Sequence, residues 1–127
     1  MQKKAFTLIE IIVTIIIIGA MASFALPRFN NAVETTKSAE GKQILLSLLN
    51  AQKIHYLEKG AYTTDLGELD VSIPGSTNFR NILLRTSDPI ATIERNTLYI
   101  LKIYLDGSFT CEDRTAGSCE KIGLPST

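Results

Sequence analysis

Residues 6–26 read FTLIEIIVTIIIIGAMASFAL, and the placing of one carboxylate, Glu10, in this apolar run decides how the whole chain is read. No charge follows from Ile11 to Pro27, and the 21 residues from Phe6 to Leu26 would make a helix of roughly 32 Å. The hydrocarbon core of a bilayer is about 30 Å thick, so the segment is long enough to span it. Lys3 and Lys4 precede it, and the positive-inside rule keeps them cytoplasmic, with everything after Leu26 on the other side. A secretory signal peptide offers a competing reading, with Ser23-Phe24-Ala25 as the small-residue site and a mature chain beginning at Leu26. Pro27, two residues past that cut, argues against it. So does Glu10, whose insertion among apolar residues costs about 2.5–3.5 kcal/mol.

That cost calls for a cation at the same depth, yet no lysine or arginine stands between Lys4 and Arg28. Cleavage between Ala5 and Phe6 would create one, because the new α-amino group of Phe6 lies about one helical turn from Glu10. The pairing could be made within one chain or with a neighbour alongside.

The run Lys4-Ala5-Phe6-Thr7-Leu8-Ile9-Glu10, the apolar helix with Gly19, and Pro27 together resemble the N-terminus of type IV pilins and of the related pseudopilins of type II secretion systems. The resemblance is dense from residue 3 to about 30 and continues in layout beyond. It implies that a prepilin peptidase removes residues 1–5, cuts at Ala5-Phe6 and methylates the amine of Phe6, and that Glu10 registers one subunit on the next. The family usually has glycine before the cut where this chain has Ala5, which puts the speed of cleavage in doubt. Gly19 with Ser23 gives a small-xxx-small spacing that lets helices approach closely, though a chance small residue would look the same. Pro27 removes a helical hydrogen bond and loosens the helix for assembly, or else marks a helix ending at the membrane surface.

Past the proline the pattern stays helical. Ile44, Leu45, Leu48, Leu49, Ala51 and Tyr56 fall on one broad face at the 3.6-residue spacing. Joined through Pro27, this predicts one helix of about 50 residues and roughly 75 Å, too long for a domain of this size to bury. Ala32, Ala39, Leu46 and Leu57 form a narrower line on another side, either a stripe for packing against neighbours or scattered surface residues. Gly60 is placed to cap the helix.

The segment from Ala61 to Asn78 reads as a packed loop, and its wording GAYTTDLGELDVSIPG resembles the helix-to-sheet loop of pilins. Asp65, Glu68 and Asp70 lack the alternating ligand spacing of a calcium loop, so no metal is expected there. His55 reads as a packing or surface residue. The last third is β in character, with Tyr99, Leu101, Ile103 and Leu105 alternating against Leu98, Ile100, Lys102 and Tyr104. Turns are expected at Arg95-Asn96 and, more strongly, at Asp106-Gly107.

The expected fold is therefore α+β, the type IV pilin fold: a long N-terminal helix, membrane-spanning in its first half, packed on an antiparallel sheet of three or four strands. The expected divisions are a leader at 1–5, a transmembrane and assembly half at 6–27, and a headpiece at 28–127. Within the headpiece a helix occupies 28–58, a loop 59–80, and the sheet and C-terminal region 81–127.

Composition narrows the function. Hydrophobic residues make up 45% of the 127, many of them in the first quarter, and the remainder suffices for one small core. Formal charge is zero overall, and without Lys3 and Lys4 it is 11 basic against 13 acidic residues, so no basic patch argues for nucleic acid. The two cysteines, Cys111 and Cys119, are not a CxxC pair and have no histidine neighbours, and on the outer side of a membrane they are expected to form a structural disulfide. The loop EDRTAGS between them is then the surface for outside contacts that the pilin resemblance implies. No phosphate loop and no nucleophile with a base is present, so a non-enzyme without a cofactor is expected.

The first reading is a filament subunit that polymerises with itself and is extracted from the inner membrane, where the precursor sits with its N-terminus cytoplasmic, by an assembly platform with a cytoplasmic ATPase. Alternatives within the family are a type II secretion pseudopilin and a minor or competence pilin. The alternative of another class is a secreted or membrane-anchored binding module.

Overall fold

The computed structural model describes residues 4–127 and contains one long helix, a four-stranded sheet and two short helical pieces. The part of the expected leader at residues 1–3, with Lys3, lies outside the described residues. The long helix α1 runs Leu8–Lys59, with Pro27 inside it. By contacts the chain forms two compact units, one ending at Val33 and one spanning Glu34–Thr127.

In the first unit every described residue from Lys4 to Ala32 is exposed. The helix starts where it does because Thr7 and Glu10 satisfy each other's free donors. The Glu10 carboxylate accepts the Thr7 N–H at 2.8 Å, and Thr7 Oγ1 accepts the Glu10 N–H at 3.4 Å. This is a capping box, with Thr7 at the N-cap and Glu10 three residues on.

The second unit is built on the remainder of α1. Ser38, Gly41, Ile44, Leu45, Leu48, Leu49, Ala51 and Gln52 are its buried face. Gly41 is required there, since a Cβ at that position would stand 2.5 Å from Cζ of Phe79. The helix ends at Gly60, whose φ of +77° closes a left-handed cap with its N–H on the Tyr56 carbonyl at 2.8 Å. Tyr56, assigned to the buried face by spacing, is 46% exposed and stacks on Tyr62 with ring centroids 4.7 Å apart. Periodicity gives an angle around the helix axis, but burial also needs something opposite, and what stands beside Tyr56 is the ring of Tyr62.

That loop carries a single 3-10 turn, α2, at Leu66–Glu68, begun by Asp65, whose side chain accepts the Gly67 N–H. The four strands are β1 (Arg80–Leu84), β2 (Ala91–Arg95), β3 (Tyr99–Ile103) and β4 (Phe109–Asp113), and they form an antiparallel meander in that order. β1 is an edge strand whose pairing shifts between Arg80 and Leu83, with Asn81 at φ +54°. Such irregular, short edges resist pairing with other chains. The turn at Arg95–Leu98 carries Asn96 at φ +45°, and Gly107 at φ +85° serves the turn between β3 and β4. Tyr99, Leu101 and Ile103 turn inward and are fully buried against α1 and β2.

Cys111 and Cys119 are joined by a disulfide with a Cα separation of 5.7 Å, tying β4 to the short helix α3 (Ser118–Lys121). Beyond α3 the chain returns to β4 by a parallel bridge between Ser126 and Cys111.

Candidate assembly site on the N-terminal helix

Phe6 is 82% exposed and Leu8 79%, and the apolar surface continues through Ile9, Ile11, Ile15–Ile18, Met21, Phe24 and Leu26. All of it is exposed, which is the reverse of the helix of a soluble core, whose apolar stripe is covered. The helix is long and apolar enough to cross a membrane. Its hydroxyls are satisfied internally: Thr14 Oγ1 donates to the Glu10 carbonyl at 2.6 Å and Ser23 Oγ to the Ala20 carbonyl at 2.7 Å. Backbone and side-chain polar groups in such a segment must find partners of this kind.

Ala5 and Phe6 lie before the helix begins, in a stretch without regular structure. Glu10 sits in the first turn of the helix beside Phe6, Ile9, Val13 and Thr14, with which it lines an open groove. Its carboxylate is held by neutral groups of Thr7, the N–H at 2.8 Å and the hydroxyl at 3.0 Å. The motif TLIE is a capping box as well as an acid in an apolar run, a role the sequence reading passed over although the S/T-x-x-E spacing announces it. Gly19 is exposed with open space where a Cβ would stand. Pro27, lacking an N–H, leaves the Ser23 carbonyl without its helical donor.

In the second unit, sequence reading missed the polar groups that fasten α1 to the sheet. Arg95 is buried and reaches Glu34 with Nε at 2.8 Å and a second nitrogen at 3.3 Å. Its remaining nitrogen donates to the Asn78 carbonyl, and Tyr99 donates its hydroxyl to Glu34. Burial, and then the Glu34 charge, push the Tyr99 phenol far above its ordinary range. Asn78 donates to Glu40 at 2.8 Å, and hydrogen bonds from Ser76 and Asn78 hold the Glu40 carboxyl below its usual range. Gln52 is wholly buried and pairs with both backbone groups of Thr63, donating to the C=O at 2.6 Å and accepting the N–H at 3.0 Å. His55 donates from Nδ1 to the Ala61 carbonyl at 2.8 Å, so it fastens the loop to the helix end. No local signal could have found these pairs. Among the described residues, no three His, Cys, Asp or Glu side chains gather into a metal site.

A family model, the prokaryotic N-terminal methylation motif, matches residues 1–26. The N-terminus resembles that of type IV pilins. The type IV major pilin protein PilA of Myxococcus xanthus is 35% identical over 68 residues, 54% of this chain and 31% of that protein. The type IV major fimbrial protein FimA of Dichelobacter nodosus is 39% identical over 56 residues, 44% of this chain and 32% of that one. The fimbrial protein EcpC of Eikenella corrodens aligns over 87% of this chain and 81% of its own length, at 25% identity. The chain thus spans about a third of the length of the first two of these pilins. No solved structure gives a significant match. The α+β arrangement, a long helix on a four-stranded antiparallel sheet, is pilin-like in its layout.

Proposed function

We propose that this chain is a structural subunit of a type IV pilus-like filament, held in the membrane by α1 before assembly and polymerised through it afterwards. The observation that carries this reading is the helix of residues 8–26, predominantly apolar and exposed throughout, with a single carboxylate in its first turn. Neighbouring copies supply the cover this surface lacks: transfer from lipid to other subunits keeps it out of water at every stage.

In this reading a prepilin peptidase cuts at Ala5-Phe6, outside the helix, and methylates the Phe6 amine. Glu10 then exchanges its neutral partners on Thr7 for the Phe6 amine of an incoming or adjacent subunit, which offsets the cost of a carboxylate in an apolar surrounding. Gly19 with Ser23 permits close approach of neighbouring helices, and Pro27 is the point where the helix yields. The chain offers no groups for nucleotide chemistry, so extraction falls to an inner-membrane platform driven by a cytoplasmic ATPase. The precursor sits with its N-terminus in the cytoplasm and the headpiece outside, and the assembled filament is extracellular. The pilin and fimbrial names of its relatives support a pilin over a pseudopilin.

Intact mass and N-terminal sequencing of protein from sheared surface material and from membranes test the reading together. A chain starting at Phe6, heavier by one methyl group and lighter by two hydrogens for the disulfide, is expected. A chain starting at Leu26 would identify a conventional secreted module and remove the role given to Glu10.

A further inference from the structure

We draw no further inference here: the strongest candidate, the apolar cleft of about 350 Å³ beside edge strand β1, floored by Ile44, Ile73, Phe79, Ile82 and Ile93, carries nothing because nothing in the structure shows what covers it.

Discussion

Arg95 closes on Glu34 with two nitrogens at 2.8 and 3.3 Å, joining the end of β2 to the first residue of the second compact unit across 61 positions of sequence. Their side chains are 8% and 16% exposed, so the pair is largely withdrawn from water. In such a pair the Coulomb gain is roughly offset by desolvation, while removal of one partner strands the other. Arg95→Met leaves Glu34 with only the Tyr99 hydroxyl of its sheet partners and should cost about 2–3 kcal/mol, discounted from the fully buried case for the partial exposure of Glu34. Urea unfolding of the full chain in detergent, followed by the tyrosine signal, measures this. The double variant Glu34→Leu/Arg95→Met should recover part of the loss, and a loss below about 0.5 kcal/mol for the single variant would show that water screens the pair.

Glu10 offers a separable test of cap and charge. Glu10→Gln keeps an acceptor for the Thr7 N–H but removes the negative charge, whereas Thr7→Val keeps the charge and removes the hydroxyl from the cap. If pairing with the Phe6 amine drives assembly, Glu10→Gln should give membrane-held subunits and few or no filaments. Thr7→Val should still assemble, at a cost of about 1 kcal/mol to the first helical turn. Filament yield from sheared cells, compared with the membrane pool by immunoblot, reads the difference. Normal filaments from Glu10→Gln would mean that the cap, not the charge, is what the motif needs.

Gly41→Ala drives a methyl group to 2.5 Å from Cζ of Phe79 and 3.0 Å from Cδ1 of Leu101. Both neighbours belong to the buried core, so relief requires moving the ring and, with it, β1. Overpacking of this kind costs about 1–3 kcal/mol, more than the helix gains by exchanging glycine for alanine. The denaturation midpoint should fall, and Gly41→Ala with Phe79→Leu should restore much of it.

Acid should loosen the headpiece. Hydrogen bonds from Ser76 and Asn78 lower the Glu40 pKa, the Cys119 N–H lowers that of Asp113, and Lys102 lowers that of Glu112. Each group therefore has a folded pKa below its unfolded value of roughly 4. Its stabilisation is fully present above the unfolded value and is lost as pH falls through the folded one. Thermal midpoints should be flat between about pH 5 and 7 and fall below about pH 4. Asp113→Asn should flatten the acid limb; an unchanged limb in that variant would exclude Asp113 as a contributor.

Reduction of the disulfide opens a short loop, with Cys111 and Cys119 separated by eight positions. The chain-entropy model assigns roughly 2.5 kcal/mol to such a closure. Both sulfurs are fully buried, so reductant should act slowly on the folded chain and quickly once urea opens it. Cys111→Ser/Cys119→Ser should lower the thermal midpoint by about 10 °C or more, and a shift under about 2 °C would place the stability of this end instead in the Ser126–Cys111 bridge and in the two hydrogen bonds that the Thr127 N–H and hydroxyl donate to the Cys111 carbonyl.

The membrane-length helix, its continuation past Pro27, the cap at Gly60 and the turn at Asp106-Gly107 were legible in the amino-acid order. Each is dictated by residues within one or two turns of one another: an uninterrupted apolar run, a 3.6-residue period, a glycine where φ must be positive. Alternation likewise put Tyr99, Leu101 and Ile103 on one face, because a strand's two faces follow from its backbone alone, but which face turns inward came from the structure. The Thr7–Glu10 cap was equally local and was open to reading from the same residues.

Tertiary structure alone decided which residue each polar side chain would meet. Gln52 could not be matched to Thr63, nor Glu34 to Arg95 and Tyr99, nor Gly41 to Phe79, since these partners come together only when the sheet lies on the helix. The same holds for Tyr56, whose angular position suited the core but which is half-exposed and stacks on Tyr62. Periodicity reports direction around an axis, and burial depends on what another part of the chain brings to that side.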